Sequence, residues 1–370
     1  MDLLLNILVI LFLGLHFIFI TAIVKGLRKN ENNSDVNFSP VVSILIAARN
    51  EAHNIEKLLN SIKRNAFDKT NYEVIVVNDH SEDSTIDVVK TWMTNNTKVK
   101  LVLIPAKAHG KKNAILEGLE FCENAIILQT DADCEVPVNW IKMMSAQFVN
   151  TKTQLVAGPV QFSPLSSLFE KIQSIEFATL IASSIGLSRV GWSIMANAAN
   201  LAYLKSSRDR FNFDEKSKSG DDVFFIQRLA KEAPESIIYL SHSEVQVKTK
   251  PVKTLKNFLQ QRVRWASKTN EYPSLKGQLV ALYILLLNVI SVFVVVMCFI
   301  NWANPIVPIA FLITKFTLDF SVLKVYYTQS LKQPLNAFHT LLLSVAYPFY
   351  VASVLGFILL GKTSWKGRKL

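Results

Sequence analysis

The sequence predicts a doubly wound, mostly parallel α/β sheet flanked by transmembrane helices. Residues 41–131 alternate short, β-branched apolar runs with segments of helical spacing, which is typical of parallel strands joined by right-handed crossovers. The longest apolar runs lie outside this region, at the N-terminus and in the last quarter of the chain. These two observations together predict a soluble domain between membrane segments.

The composition favours a membrane protein and disfavours a nucleic-acid-binding one. Half of the 370 residues are hydrophobic, and the mean hydropathy of +0.26 is high for a soluble enzyme. The formal net charge is +11, which fits Lys and Arg in loops on the cytoplasmic side beside anionic lipid. There is no zinc-finger spacing or repeated basic–aromatic pattern, so no nucleic acid partner is expected. The three cysteines lack metal-site spacing and indicate a reducing compartment or simple burial.

The N-terminal apolar stretch is predicted to be an uncleaved membrane span. Residues 3–24 provide roughly the ~20 apolar residues that cross a bilayer. Lys25, Arg28 and Lys29 follow the run rather than precede it, which is unlike a signal peptide. The positive-inside rule therefore places the following domain in the cytoplasm. We expect a helix over 1–24 and a linker over 25–40.

The domain itself is predicted to begin with four strands separated by helices. The predicted strands cover 41–48, 72–77, 99–104 and a run from 126, and the predicted helices cover 53–62, about 86–92 and 112–122. Polar clusters stand where three of the strands end, at 49–51, 78–79 and 131–133. In such sheets ligands bind beyond the carboxyl ends of the strands. No dinucleotide-binding glycine fingerprint or P-loop follows the first strand, which argues against an oxidoreductase or a P-loop NTPase.

The cluster at the end of the fourth strand is a candidate metal site. Asp131 and Asp133 follow the apolar run one residue apart, and in an extended backbone their side chains would lie on the same side. Two adjacent carboxylates repel each other unless a cation lies between them, and Mg²⁺ or Mn²⁺ accepts such oxygens. The alternative is a solvated turn or a helix cap, because Pro137 follows shortly.

The pattern after Pro137 is less regular. Residues 167–187 predict a helix that lies either in the core or at the membrane surface. The pair Asp221–Asp222 precedes an apolar helix and is either functional or a helix cap. Residues 258–265 predict a basic, aromatic helix, with an interfacial helix as the alternative interpretation.

The last quarter of the chain predicts about three membrane segments over 276–361. Apolar runs cover 279–300, 306–322 and 338–360, and the second is weakened by Lys315 and Asp319. One N-terminal and three C-terminal spans would place the basic tail, 362–370, outside, whereas the positive-inside rule places it inside. One segment is then re-entrant or interfacial, or the tail breaks the rule.

Several motifs in order resemble the membrane-anchored, inverting glycosyltransferases of family 2, which have the glycosyltransferase A fold. The resemblance covers most of residues 41–265, which we expect to lie within one cytoplasmic domain over 41–275. The motifs are Ala48-Arg49-Asn50-Glu51, Asn78-Asp79-His80-Ser81, Gly110-Lys111-Lys112 with Ala114 and Gly118, Thr130-Asp131-Ala132-Asp133, Gly220-Asp221-Asp222, and Gln261-Arg262-Val263-Arg264-Trp265. The sequence departs from the family at 221, where the family usually has Glu.

The resemblance implies a role for each motif. Asp222 would be the catalytic base, and the metal, Mn²⁺ or Mg²⁺, would bind Asp131 and Asp133. The remaining assignments are nucleotide binding by Ala48, Arg49, Glu51, Asp79, Lys111 and Asp131, and acceptor or diphosphate binding by Gln261, Arg264, Trp265 and Asp221. The chemistry of the residues agrees, since one ionised carboxylate suffices as a base and Arg264 suits a diphosphate.

The expected function is transfer of a sugar from a nucleoside diphosphate sugar, a UDP-sugar, to a lipid, lipid-linked or polysaccharide acceptor at the membrane. Such an enzyme would be an integral membrane protein of a bacterial inner membrane, in polysaccharide or glycolipid biosynthesis of the cell envelope. The alternatives are a processive polysaccharide synthase and a non-catalytic membrane scaffold that binds sugar nucleotides. A nucleotidyltransferase is disfavoured because residues 47–51 lack the expected glycines.

Overall fold

The computed structural model describes residues 2–29, 38–97, 100–211, 221–299, 306–360, 364–365 and 368–369. Most of the predicted linker, 30–37, lies outside the described residues. The described chain divides into two compact units. The sheet unit comprises Asn30–Pro164 and Met195–Lys250, and the helical unit comprises Met1–Lys29, Leu165–Ile194 and Pro251–Leu370. The predicted domain boundaries remain a proposal, but the helical unit includes two segments, 165–194 and 251–275, from within the predicted cytoplasmic domain.

The elements follow in chain order. The helices are α1 (Asp2–Arg28), α2 (Ile55–Lys63), α3 (Thr85–Asn95), α4 (Lys111–Glu120), α5 (Trp140–Ser145), α6 (Leu168–Arg189), α7 (Lys205–Arg210), α8 (Asp221–Glu232), α9 (Leu255–Ala266), α10 (Leu275–Phe299), α11 (Ile306–Tyr326) and α12 (Ala337–Leu359). The strands are β1 (Val42–Ala48), β2 (Tyr72–Asn78), β3 (Lys100–Pro105), β4 (Ile126–Asp131), β5 (Leu155–Ala157), β6 (Val160–Phe162), β7 (Leu201–Leu204), β8 (Ile237–Tyr239), β9 (Val247–Thr249), β10 (Ser364–Trp365) and β11 (Arg368–Lys369).

Within the described residues, the sheet unit is built on a seven-stranded sheet of order β3-β2-β1-β4-β7-β5-β8. The first four strands pair in parallel, as predicted. The apolar runs of β1, β2 and β4 are buried over almost their full length, as is typical of parallel strands. In α2 the buried residues Ile55, Leu58, Leu59 and Ile62 recur at helical spacing. The predicted fold class, a mostly parallel α/β sheet, is confirmed.

The part of the sheet after β4 was not predicted. β7 pairs antiparallel with both β4 and β5, and β5 then pairs in parallel with β8. β6 and β9 form a separate parallel pair. These strands are three or four residues long, too short for a periodic pattern to be recognised. They bring residues near 200 and 249 next to the end of β4.

The helical unit contains four helices that are long and apolar enough to cross a membrane, counted over the described residues. The spans are Val9–Arg28, Leu275–Val296, Ile306–Leu331 and Ala337–Leu359. The third continues α11 through a π-helical turn, Tyr327–Leu331. Two of its charged residues pair with each other, since Lys315 Nζ lies 2.7 Å from Asp319 Oδ2, and His16 of α1 lies 3.1 Å from Asp319. The pairing explains how charges are tolerated in this helix.

The helix α6 packs among these spans, against α1, α11 and α12. It begins with a capping box in which Ser167 Oγ accepts from Glu170 N at 3.2 Å and Glu170 Oε2 accepts from Ser167 N at 3.1 Å. Twelve of its 22 residues are buried, and it belongs to the helical unit. The pair β10–β11 is antiparallel, and β10 packs against α9.

Candidate active site

The predicted polar clusters leave the sheet at one edge because their strands end in register. Ala48 pairs with Asn78, Asn78 pairs with Pro105, and Ala47 pairs with Asp131. Since β1 to β4 are parallel, the segments that follow them share the carboxyl edge of the sheet. Seven of the predicted site residues stand at or just beyond this edge: Ala48, Arg49, Glu51, Asp79, Lys111, Asp131 and Asp133.

The loops after β1 and β2 are hydrogen-bonded to each other. Asn50 has a positive φ of 56°, a conformation that Asn tolerates. Its backbone N donates to Ser81 Oγ at 3.1 Å, and its side-chain Oδ1 accepts from Glu82 N at 2.8 Å. Glu51 N donates to Thr85 Oγ1 at 2.8 Å. These bonds fix the position of the half-buried Arg49 relative to the second loop.

Asp79 is a buried carboxylate, 5% exposed, at the end of β2. Its Oδ1 accepts from Gly110 N at 2.9 Å, and Gly110 adopts a φ of 106° that favours glycine. His80, also at a positive φ, lies against His109, with ring centroids 3.7 Å apart and ring planes tilted by 30°. Asp79, His80 and His109 are close enough to bind a metal.

Asp131 and Asp133 are brought together by a turn, not by an extended strand as the sequence suggested. β4 ends at Asp131, and Cys134 N donates to Asp131 O at 3.0 Å, closing the turn. Lys111 Nζ lies 2.5 Å from Asp131 Oδ1, and Thr249 Oγ1 donates to Asp133 Oδ2 at 3.2 Å. Burial, and then the charge of Asp131, raise the pKa of the Asp133 carboxyl. Two crowded carboxylates of this kind form a hard oxygen donor set that fits Mg²⁺ or Mn²⁺.

Asp222 lies in the first turn of α8 and is tied to the end of β4. Its Oδ2 accepts from Ala198 N at 3.1 Å and its Oδ1 from Val223 N at 2.9 Å. The next residue of that segment, Ala199, accepts from Thr130 Oγ1 at 2.9 Å through its carbonyl. Two hydrogen bonds and the intervening residues Ala198 and Ala199 thus connect Asp222 to β4, the strand that carries Asp131. Gly220 and the side chain of Asp221 lie outside the described residues.

Asn200, which the sequence did not single out, holds this segment in place. It is fully buried, its Oδ1 accepts from Trp140 Nε1 at 2.8 Å, and its Nδ2 donates to the carbonyls of Pro159 and Val245, each at 2.8 Å. Every polar atom of the amide is therefore used. Thr249 was missed in the same way, and Thr130 was named only as part of the motif that contains Asp131 and Asp133. The only sequence feature that pointed to Asn200 was the run of small and polar residues from Ala196 to Asn200.

Gln261, Arg264 and Trp265 lie on one helix, α9, of the helical unit. Thr254 caps this helix by accepting from Asn257 N at 3.3 Å. Trp265 packs near Phe177 of α6, with ring centroids 6.3 Å apart. The motif is therefore presented by a capped helix packed within the helical unit.

The sheet order and the carboxylate cluster fit the class of enzyme domain that the motifs predicted, the glycosyltransferase A fold. Residues 43–207 match the family Glycosyl transferase family 2. This match over residues 43–207 confirms the resemblance seen in the motifs.

Three known proteins illustrate the likeness. Glycosyltransferase AglE of Haloferax volcanii is 32% identical over 124 residues, which are 34% of this chain and 40% of AglE. Poly-beta-1,6-N-acetyl-D-glucosamine synthase of Staphylococcus epidermidis is 24% identical over 300 residues, covering 76% of this chain and 68% of the synthase. The solved structure of mannosyltransferase PcManGT from Pyrobaculum calidifontis, in complex with GDP-Man and Mn²⁺, shares the fold with a TM-score of 0.60 and 16% identity, covering 97% of this chain and 99% of that one.

Proposed function

We propose that the protein is an inverting glycosyltransferase that moves a sugar from a UDP-sugar to a lipid, lipid-linked or polysaccharide acceptor at the membrane. The observation that carries the proposal is the arrangement of three carboxylates. Asp131 and Asp133 stand together at the carboxyl edge of the sheet, and Asp222 is tied to the same strand end through Ala198, Ala199 and Thr130. The reaction needs two functions, a cation site for the leaving diphosphate and a separate base for the acceptor.

On the donor side, Asp79 binds the nucleoside, and Ala48, Arg49 and Glu51 line its site. Asp131 and Asp133 hold Mn²⁺ or Mg²⁺, which supplies a Lewis acid for the diphosphate. Lys111, 2.5 Å from Asp131, is placed to add a cation beside the phosphates. In the helical unit, Arg264 has the planar guanidinium that suits a diphosphate, and Gln261 and Trp265 bind acceptor or diphosphate. Asp221 is assigned to the same group.

On the acceptor side, Asp222 takes the proton of the attacking hydroxyl. The acceptor oxygen forms a bond to the anomeric carbon, and the bond from that carbon to the phosphate oxygen breaks. The nucleoside diphosphate leaves with the electron pair. A single displacement of this kind inverts the anomeric centre. The two N–H groups that donate to Asp222 keep the carboxylate in place for this step.

The four apolar helices support membrane anchoring, and we propose that the domain over 41–275 faces the cytoplasm of a bacterial cell. A processive polysaccharide synthase is the second candidate, because the match to the Staphylococcus epidermidis synthase extends over 76% of this chain. Product length separates the two: one added sugar indicates a single transfer, and a ladder of products indicates a synthase.

The proposal is tested by nucleotide release from the purified, detergent-solubilised chain with Mn²⁺ or Mg²⁺. A panel of UDP-sugars, with GDP-mannose included, is tried with membrane lipid extract as acceptor. We expect release with one donor, and a loss of about 10²–10⁴-fold in Asp222→Asn because the general base is removed. Asp131→Ala should abolish release. Asp209→Asn, on an exposed helix surface, is the matched control and should retain activity.

No release from any donor, with no detectable UDP or GDP binding, would overturn the transferase proposal in favour of a scaffold that does not use these nucleotides. Retained cellular function of Asp222→Asn would also favour a scaffold.

A further inference from the structure

A buried arginine inside the Gln261–Trp265 motif joins two helices of the helical unit. Arg262 is 5% exposed, and its partner Glu176 on α6 is 1% exposed. Arg262 Nε donates to Glu176 Oε1 at 2.9 Å, and Arg262 Nη2 donates to Glu176 Oε2, so the ion pair is bidentate. Because both groups are removed from water, each charge requires the other. The pair therefore fixes how α9 packs on α6.

The same guanidinium contacts two side chains of the motif. Arg262 Nη1 donates to Gln261 Oε1 at 2.6 Å, which orients the amide. Arg262 Cζ lies 4.2 Å from the ring centroid of Trp265 and 4.5 Å from that of Phe258, within the range of a cation–π contact. The guanidinium carbon thus lies over the indole ring of Trp265. Arg262 sets the conformation of both neighbours at once.

The last apolar helix, α12, completes the cluster. Tyr350 of α12 donates its hydroxyl to Glu176 Oε1 at 2.8 Å, the oxygen that also accepts from Arg262 Nε. The Tyr350 ring packs edge-on against Phe258, with centroids 5.4 Å apart. The contacts run from α12 through Glu176 to Arg262 and end at Gln261 and Trp265.

We propose that Glu176, Arg262 and Tyr350 are positioning residues that hold Gln261 and Trp265 in the conformation used during sugar transfer, so that the apolar helix α12 sets the geometry of the motif. The inference rests on the proposed function and takes its acceptor alternative, in which Gln261 and Trp265 contact the acceptor and not the diphosphate of the donor. The proposed nucleoside ligand Asp79 lies in the other unit. Loosening this cluster should therefore slow transfer to the acceptor while leaving donor affinity almost unchanged.

The test compares steady-state transfer by the wild-type chain and Tyr350→Phe in the same detergent. The substitution removes one hydroxyl and keeps the ring. We expect kcat to fall about 3–10-fold, as for the loss of one hydrogen bond, with the donor KM within about twofold of wild type and the acceptor KM raised. Tyr326→Phe is the matched control, since Tyr326 is a buried tyrosine of α11, and its kinetics should be unchanged.

Arg262→Lys is a second test, because lysine keeps the positive charge but cannot make the bidentate ion pair or stack a planar group on an aromatic ring. We expect a larger fall in kcat than in Tyr350→Phe, again with donor KM retained. If this variant does not fold, Tyr350→Phe decides alone. Unchanged kinetics in Tyr350→Phe would overturn the positioning role, as would a rise in donor KM equal to the fall in kcat. A wild-type chain without transfer activity would instead overturn the proposed function itself.

Discussion

Glu73 stabilises the sheet through its charged form, and this makes stability depend on pH. The carboxylate is 2% exposed, and it accepts from Ser43 Oγ at 2.6 Å and Glu123 N at 2.8 Å, with Lys100 Nζ at 2.9 Å. Burial raises the pKa, but the hydrogen bonds from Ser43 and Lys100 outweigh it, so the pKa of Glu73 is lowered. Because the pKa of a glutamate in the unfolded chain is about 4.3, the stabilisation is complete above that pH and is lost as the pH falls towards the folded value.

We therefore expect Glu73→Gln to be less stable than wild type at pH 7, with the difference shrinking as the pH falls from 5 to 3. Thermal unfolding in detergent across this range measures it. Glu56→Gln is the control, since Glu56 is an exposed residue of α2, and its difference from wild type should stay small and flat. A Glu73→Gln difference that does not change with pH would contradict the argument.

The residues of the candidate site were predictable to different degrees from the sequence. Asp79 and Asp131 follow apolar runs, and the rule that parallel strands end at one edge places them together. Asn200 and Thr249 gave no such signal, because their partners lie far along the chain. Thr249 is hydrogen-bonded to Asp133, 116 residues away in the sequence, and Asn200 to Trp140, 60 residues away. Local periodicity contains no information about such pairings, which depend on the short strands around β7.

At the scale of elements, α1 and α6 touch backbone to backbone at two glycines. A Cβ placed on Gly26 would lie 1.9 Å from Gly186 O, so the two helices can cross this closely only without a side chain. We expect Gly26→Ala to lower the free energy of unfolding by more than about 2 kcal/mol, the range of overpacking in a rigid contact. Detergent thermal unfolding or native-state proteolysis measures the change.

Gly14→Ala is the matched control on the same helix. A Cβ at Gly14 meets nothing within 4 Å, so the substitution should be neutral or slightly stabilising, by up to about 1 kcal/mol. Equal effects of the two alanines would show that helix propensity, and not the crossing, is responsible.

The elements themselves were predicted well where the pattern was long. The first four strands, their helices and the four apolar helices all appear close to the expected residues. In α11, Lys315 and Asp319 weakened the prediction because a sequence window counts charges singly, whereas the folded helix pairs them one turn apart. β5 to β9 were missed because strands of three or four residues depend on their pairing partners rather than on their own pattern.

At the scale of the whole molecule, the side of the membrane reached by the C-terminal strands follows from their packing. β10 packs against α9, and α9 precedes α10, the first C-terminal span. If α10, α11 and α12 all crossed the bilayer, β10 would lie on the opposite side from α9. The packing instead places both on one side, and the positive-inside rule gives the same answer for the basic residues Arg368 and Lys369. α9 and β10 can lie on one side only if the chain between them crosses the membrane an even number of times.

We therefore predict that the C-terminal residues lie on the cytoplasmic side, with one of α10 to α12 failing to cross completely. Fusions of the full chain to a reporter that fluoresces only in the cytoplasm, and to a phosphatase active only outside it, should give a fluorescent and an inactive protein. A fusion placed after Gln333, between α11 and α12, shows which segment fails to cross. A cytoplasmic signal there requires that α12 does not cross, because two complete crossings then precede it. An external signal there requires that α10 or α11 does not cross, and an active phosphatase at the C-terminus would contradict the predicted side.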